Sequence, residues 1–361
     1  MSVAVKRPNA LIESPGRAGS RAVAVWLWSV AGLVLAMVIV GGATRLTDSG
    51  LSITQWKPLL GAIPPLNEAD WLSAFEQYKQ IPQYKIVNHG MSLDEFKAIY
   101  WWEWGHRFLG RIIGLAFAVP FLIFWLTGRL RSGTGAKYLG LLVLGGLQGL
   151  VGWYMVKSGL SDRVQVSPYW LAFHLGMAFT IFSLLVWLAL EEREPRVVTG
   201  EAAPSTVRTV AALLVAAIGL QVLLGAFVAG LRAGLIYNTW PDMNGQWFPS
   251  DYWLQGETWR TFFESHAAAQ FNHRVMAYVT GALAAVSAML VLRSPLDERI
   301  RRSGFVLGAA VLAQIVLGIW TLIAHVPLHL GLVHQGGALI VLGIAVWHLH
   351  ATRRAGVTAR A

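Results

Sequence analysis

Eight stretches of this sequence are apolar for long enough to cross a lipid bilayer, and no other feature limits the fold as much. A hydrocarbon layer roughly 30 Å thick takes about 20 helical residues to span. The runs lie at residues 22–43, 103–127, 137–157, 168–190, 208–231, 267–292, 304–325 and 328–350. Only HVPLH separates the last two, and Pro327 is expected to stop the seventh helix there. Charged residues make up 13% of the chain and hydrophobic ones 55%, whereas soluble domains carry roughly 25% charged residues. The predicted fold class is an all-α polytopic membrane protein.

A net charge of +10 raises nucleic acid as a partner until the charges are placed. Lys6, Arg7, Arg17 and Arg21 precede the first span. Arg129, Arg131 and Lys137 follow the second, Arg193, Arg196 and Arg208 the fourth, and Arg293, Arg299, Arg301 and Arg302 the sixth. Arg353, Arg354 and Arg360 trail the eighth. On the opposite side Asp48, Glu68, Asp70, Glu76, Asp94 and Glu95 crowd the first long connection. The positive-inside rule then puts both termini in the cytoplasm. The basic excess is a topology signal, and no nucleic-acid partner is predicted. No hydrophobic signal core precedes the first span, which is read as retained. Cysteine is absent, which removes disulfides, thiolate metal sites and cysteine nucleophiles together.

The chain also repeats itself. His106-Arg107 in the second span returns as His273-Arg274 in the sixth. Gln148 and Gly152 (QGLVG) in the third return as Gln314 and Gly318 (QIVLG) in the seventh. His174-Leu-Gly176 in the fourth returns as His334-Gln-Gly336 in the eighth. The first and fifth are linked more weakly, by Gly41 with Gly225 and Ser49-Gly-Leu with Ala233-Gly-Leu. A unit of four crossings re-inserts with the same orientation, so the expected architecture is two similar four-helix bundles related by a pseudo-two-fold axis along the membrane normal. The domains read from this are a cytoplasmic tail at 1–21, an N-terminal half at 22–190 with an outer loop at 44–102, a cytoplasmic linker at 191–207, a C-terminal half at 208–350 and a cytoplasmic tail at 351–361.

His106, His174, His273 and His334 each fall about five or six residues into an even-numbered span, all entering from the outer side. At 1.5 Å per residue they share a depth roughly 8–10 Å below the outer end. One turn further on the same face come Gly110, Ala178, Ala277 and Ala338. Such a face leaves a slot where a flat macrocycle can lie against the backbone; it equally serves helix–helix packing. Ionisable groups inside a bilayer are costly and mark function. Two histidines from facing helices are a standard way to hold heme iron from both sides, whereas zinc or copper usually gathers three or four ligands. Arg107 and Arg274 are placed to fork onto heme propionates or to snorkel to the interface.

Of the other histidines, His325 and His329 bracket the last outer turn, His266 lies two turns outside His273, and His89 is in the first outer loop. His348 and His350 fall at the cytoplasmic end, where a solvated place is expected. The halves differ in one place. Three residues before His106 stands Glu103, and the corresponding residue before His273 is Gln270. A carboxylate in one half and an amide in the other points to proton-coupled chemistry in the N-terminal half. An interfacial acid favoured by a helix N-terminus is the plainer alternative for Glu103.

Taken together, eight spans in two similar halves, the E-x-x-H-R of Glu103, His106 and Arg107, the N-H-R of Asn272 to Arg274, and the single histidines opening the fourth and eighth spans resemble the heme A synthase family. The likeness runs from about residue 22 to 350. It implies oxidation of the C8 methyl of heme O to a formyl group, giving heme A for cytochrome oxidase assembly. It further implies heme b on His273 and His334, the substrate heme on His106 and His174, and a catalytic part for Glu103. The setting it implies is a bacterial inner (cell) membrane, with heme sites toward the outer side. Heme O synthase is the expected substrate donor; an electron donor, membrane lipid and a homo-oligomeric partner complete the expected company. Some members carry a cysteine pair in an outer loop; this sequence has none, so a cysteine-dependent step cannot operate here. Two other classes stay open: a bis-histidine membrane cytochrome of b type that only transfers electrons, and a duplicated transporter with histidine proton relays. The outer segment, with its amphipathic ADWLSAFEQYKQ, is expected to form short helices over the first site or a solvated lid.

Overall fold

Eight helices long and apolar enough to cross a membrane are present in the computed structural model, which describes residues 20–57, 60–131, 133–161, 163–193 and 203–354. The helices are α1 (Arg21–Leu46), α2 (Glu68–Tyr78), α3 (Pro82–Ile86), α4 (Leu93–Leu126), α5 (Gly135–Gly159), α6 (Pro168–Arg193), α7 (Ser205–Gly230), α8 (Thr258–Glu264), α9 (His266–Arg293), α10 (Glu298–Ile323) and α11 (Leu328–Arg354). All eight expected spans are found, as α1, α4 to α7 and α9 to α11. Lys6, Arg7, Arg17, Arg196 and Arg360 of the charge pattern lie outside the described residues.

The eight divide into an inner and an outer set. In α1, α6, α7 and α11 between 33% and 44% of the most apolar window is buried, against 6% to 22% in α4, α5, α9 and α10. The inner four pack on one another through Leu27, Val34, Phe182, Leu185, Leu214 and Leu339. The outer four turn most of their apolar surface away from the protein, where lipid solvates it as well as another helix would. The pairings correspond: α1 packs on α4, α6 and α11, and α7 packs on α9, α11 and α6.

Two spans differ from expectation. Helix α4 starts ten residues early, because Ser92 accepts from the Glu95 N–H and Glu95 accepts from the Ser92 N–H, a reciprocal cap. The added turns bury Phe96 and Tyr100 against Phe75 and Tyr78 of α2, so the amphipathic segment is a packed cover. Tyr78 donates to Gln83 at 2.9 Å and Gln83 donates to the Asp48 carbonyl at 3.0 Å, tying this cover to the end of α1. Burial pushes the Tyr78 phenol up to about 12, so it stays a donor at working pH. Helix α10 ends at Ile323, four residues before Pro327, which instead leads into α11. Left-handed residues at His325 (φ 61) and Val326 (φ 53) make that turn.

Pro120 sits inside α4 and cannot donate to the Ala116 carbonyl. The Trp26 indole of α1 does so at 2.8 Å, leaving no orphaned acceptor in lipid. On the face carrying the 47–92 segment, a polar cluster joins α1 to α7. Arg45 donates to Gln165 at 2.9 Å and to the last carbonyls of α7, Ala229 at 3.1 Å and Gly230 at 3.3 Å. A cation at a helix C-terminus is electrostatically favoured. Asp48 and Arg232 pair beside it. They lie seven residues past Gly41 and Gly225 and share a left-handed backbone, φ 54 and 55.

Orientation in the membrane is open to direct measurement. Reporter fusions at 129–137 and 293–303 are expected to read as cytoplasmic, and those at 44–100 and 235–265 as external. A cytoplasmic reading for 44–100 would reverse the side on which the histidines lie.

Candidate functional site

Each of the four histidines is seated against a glycine of the preceding long helix. A Cβ at Gly41 would lie 3.1 Å from His106, one at Gly152 2.9 Å from His174, one at Gly225 2.9 Å from His273, and one at Gly318 2.8 Å from His334. Real Cβ atoms essentially never come under 3.0 Å of another atom, so alanine at three of these positions displaces an imidazole. The shared depth of the four rings is set by this register. Each glycine stands five residues before the last residue of α1, α7 and α10, and seven before that of α5. Distance from the even helix's own start, the ruler used on the sequence, fails for His106 because α4 begins at Leu93.

A glutamine one turn before the glycine reaches the same histidine in three of the four units. The side-chain N–H of Gln148 donates to the His174 carbonyl at 2.9 Å, that of Gln221 to the His273 carbonyl at 3.0 Å, and that of Gln314 to the His334 carbonyl at 2.7 Å. The same amide nitrogens lie 3.4, 3.4 and 3.1 Å from a nitrogen of the ring. A carbonyl has two lone pairs, and its helix bond uses one. Ala178, Ala277 and Ala338, one turn on, are small enough to leave the second open. That gives the small residues a role beyond a slot for a ligand.

The rings come in twos. His106 and His174 lie within electrostatic range of each other, as do His273 and His334. Nδ1 of His174 and of His273 is buried without a partner, which in lipid is costly unless something is bound. Among the described residues no three His, Asp or Glu side chains converge on a metal-sized site. Paired imidazoles from facing helices, with glycine walls and unsatisfied ring nitrogens, fit a bis-histidine heme.

Glu103 lies about one turn before His106 on α4, and 2% of it is exposed. Its Oε2 accepts from the Ser52 hydroxyl and the Ile53 N–H, each at 2.8 Å, and Oε1 accepts from Arg107 at 2.6 Å. Arg107 also donates to the carbonyls of Ile53 at 2.8 Å and Gln55 at 3.1 Å. In the other half Gln270 donates to the Ala233 carbonyl at 2.9 Å and accepts from Arg274 at 2.9 Å. Arg274 then donates to the carbonyls of Asp242 at 2.8 Å and Tyr237 at 2.9 Å. The turn presenting Asp242 is itself fixed: the Gly245 N–H and the Thr239 hydroxyl hold its carboxyl below the usual range. The loops are matched to the residue they meet, donors facing the carboxylate and an acceptor facing the amide. Both arginines spend hydrogens on loop carbonyls, so each ties the loop it meets to its own helix, next to a histidine.

The remaining histidines separate. His266, His325 and His329 are exposed, and His89 packs beside Tyr84. The solvated place expected for His348 and His350 is not found: both are fully buried. Ser303 of α10 lies 2.9 Å from His348 Nδ1, and the Trp187 ring of α6 meets His350 edge-on at 4.9 Å. Helices returning from far along the chain cover them. Sequence reading noted Gln148, Gln314 and the glycines only as repeat markers, and missed Gln221 and Ser52. QVLLG at 221–225 matches QGLVG and QIVLG and was the available signal for Gln221.

The model of a family described as cytochrome oxidase assembly protein matches residues 24–346. A protein of Parvibaculum lavamentivorans named heme A synthase is 52% identical over 336 residues, covering 92% of this chain and 95% of the relative. Relatives with the same name in Azorhizobium caulinodans, 50% identical over 97% of this chain and 100% of theirs, and Rhodospirillum centenum, 48% identical over 93% and 90%, are as similar. The chain belongs to the COX15-CtaA family of cytochrome oxidase assembly proteins.

Proposed function

We propose that this protein is a heme A synthase, an oxidoreductase that converts the C8 methyl of heme O to the formyl group of heme A. The observation that carries this reading is a doubled pair of glycine-walled histidines with a buried carboxylate in one half only. Relatives of about 50% identity bearing that name support it. His106 and His174 hold the substrate heme, and His273 and His334 hold heme b. When bound, the iron supplies the redox chemistry. The protein orients the macrocycle, keeps bulk water from its outer edge with the 52–55 segment, and holds the Glu103 carboxyl group one turn from His106. That carboxylate accepts or shuttles a proton, or steadies positive charge developing at the methyl carbon.

The wider setting follows from the same reading: two halves related by an axis along the membrane normal, as the corresponding helix pairings support; both termini cytoplasmic; heme O delivered by heme O synthase; electrons from a separate donor. A bis-histidine cytochrome is the competing reading, because the duplicated glycine walls suit it as well. Extraction of pigment from protein purified from a host that makes heme O separates them. Heme b together with heme O and A is expected. Heme b alone would make the protein an electron carrier, and absence of heme would remove both readings.

A further inference from the structure

The first, third, fifth and seventh spans (α1, α5, α7 and α10) carry one aligned motif with one exception. It reads MVIVG at 37–41, QGLVG at 148–152, QVLLG at 221–225 and QIVLG at 314–318. Building on the reading that the four imidazoles ligate heme, we propose that Gln148, Gln221 and Gln314 are positioning residues that lock their histidines, and that Met37 leaves His106 as the one ligand able to leave.

The glutamine amide binds the backbone of the ligand residue and lies near a nitrogen of its ring, while the glycine lies against Cε1. The backbone of the ligand residue is thereby tied to the neighbouring helix by one side chain, whose amide nitrogen lies 3.4 Å from Nε2 of His174 and His273 and 3.1 Å from Nδ1 of His334. Outer contacts that orient metal ligands are worth about 10–100-fold in affinity, and here the orienting bond runs to the backbone carbonyl of the histidine. Met37 occupies the fourth such place: its methyl lies 3.4 Å from where a Cβ on Gly110, one turn past His106, would be. A thioether has no N–H to donate and three rotatable bonds with which to move aside. His106 keeps its glycine wall at Gly41 and lacks the amide.

The exception falls in the half that also has Glu103. Electron transfer alone favours two fixed ligands, and the C-terminal half has both glutamines. A heme that reacts as well as carrying electrons would need one position free, and the N-terminal half would hold its heme with His174, which has the glutamine, and His106, which lacks it. Two independent differences, a carboxylate for an amide and a thioether for an amide, thus set the same half apart.

Carbon monoxide tests this, because it binds a six-coordinate ferrous heme only where a ligand leaves. The full chain is purified from a host that makes heme O, reduced and titrated with CO. In the wild-type protein one of the two hemes is expected to respond. Met37→Gln should weaken CO binding at least about tenfold, and Met37→Leu, which also lacks a donor, should leave it as it was. Gln221→Met should make the second heme respond. If CO binds Met37→Gln as it binds the wild type, or the second heme stays inert in Gln221→Met, the glutamines do not lock the ligands. If Met37→Leu abolishes the wild-type response, the sulfur acts directly and the assignment of His106 falls. A wild-type protein with no heme would sink the proposed function itself, whereas a heme-loaded protein with unchanged variants would sink this inference alone.

Discussion

Replacing His273 or His334 with alanine is expected to abolish the low-spin spectrum of the C-terminal heme while the eight-helix bundle stays folded. Each ring is seated against a glycine of the preceding long helix. The bonds that pin these helices together go to the histidine carbonyls, at 3.0 and 2.7 Å, and survive loss of the ring. The packing penalty is that of an ordinary buried truncation, on the order of 1–3 kcal/mol. Optical spectra of the reduced, purified variants should lack the six-coordinate band, with helical content near wild type by circular dichroism. Unchanged six-coordinate spectra in both variants would place the ligands elsewhere.

Glu103→Gln should lower heme A output by about 10²–10⁴-fold, the usual worth of a general acid–base group, with heme O or the hydroxylated intermediate accumulating. Seen in the sequence alone, this change makes the first half resemble the second. In the structure it does not, because Ser52, Ile53 and Arg107 all offer donors to position 103, whereas Gln270 faces the acceptor of Ala233. Either amide orientation sets an NH₂ against an N–H or a guanidinium, at a cost of about 1–3 kcal/mol. A lowered melting temperature is therefore expected alongside the chemical defect, with heme b retained because its half is untouched. Normal heme A from a well-expressed variant would reduce Glu103 to an anchor for the Ser52–Ile53 segment. Loss of every heme would make it a structural residue.

The spans were legible because lipid demands length and hydrophobicity in one unbroken run, and sequence carries both. The four histidines were legible because they recur beside small residues in runs where ionisable groups are rare. The start of α4 was not: its outer turns are amphipathic, with Phe96 buried and Trp101 and Trp102 exposed, so hydropathy stops ten residues short. The partners of Glu103 were hidden for another reason. Ser52 and Ile53 reach it from about fifty residues away, and no local pattern predicts which way a loop donor points. His348 looked solvated by linear depth, yet Ser287 and Ser303 from two other helices enclose it. Gln221 was readable all along: aligning the odd spans on their glycines, as was done for the even spans on their histidines, brings it out.

Asp48 and Arg232 hold corresponding places, one at the end of each half's first helix, and they meet each other. Two N-terminal halves assembled the same way would set Asp48 against Asp48, and two C-terminal halves Arg232 against Arg232. At these partly exposed positions the repulsion is on the order of 1 kcal/mol, the same size as the attraction it replaces. Each half is thus matched to the other and mismatched to itself. The ion pair therefore makes two corresponding corners of the fold complementary where their sequence positions alone would make them look alike.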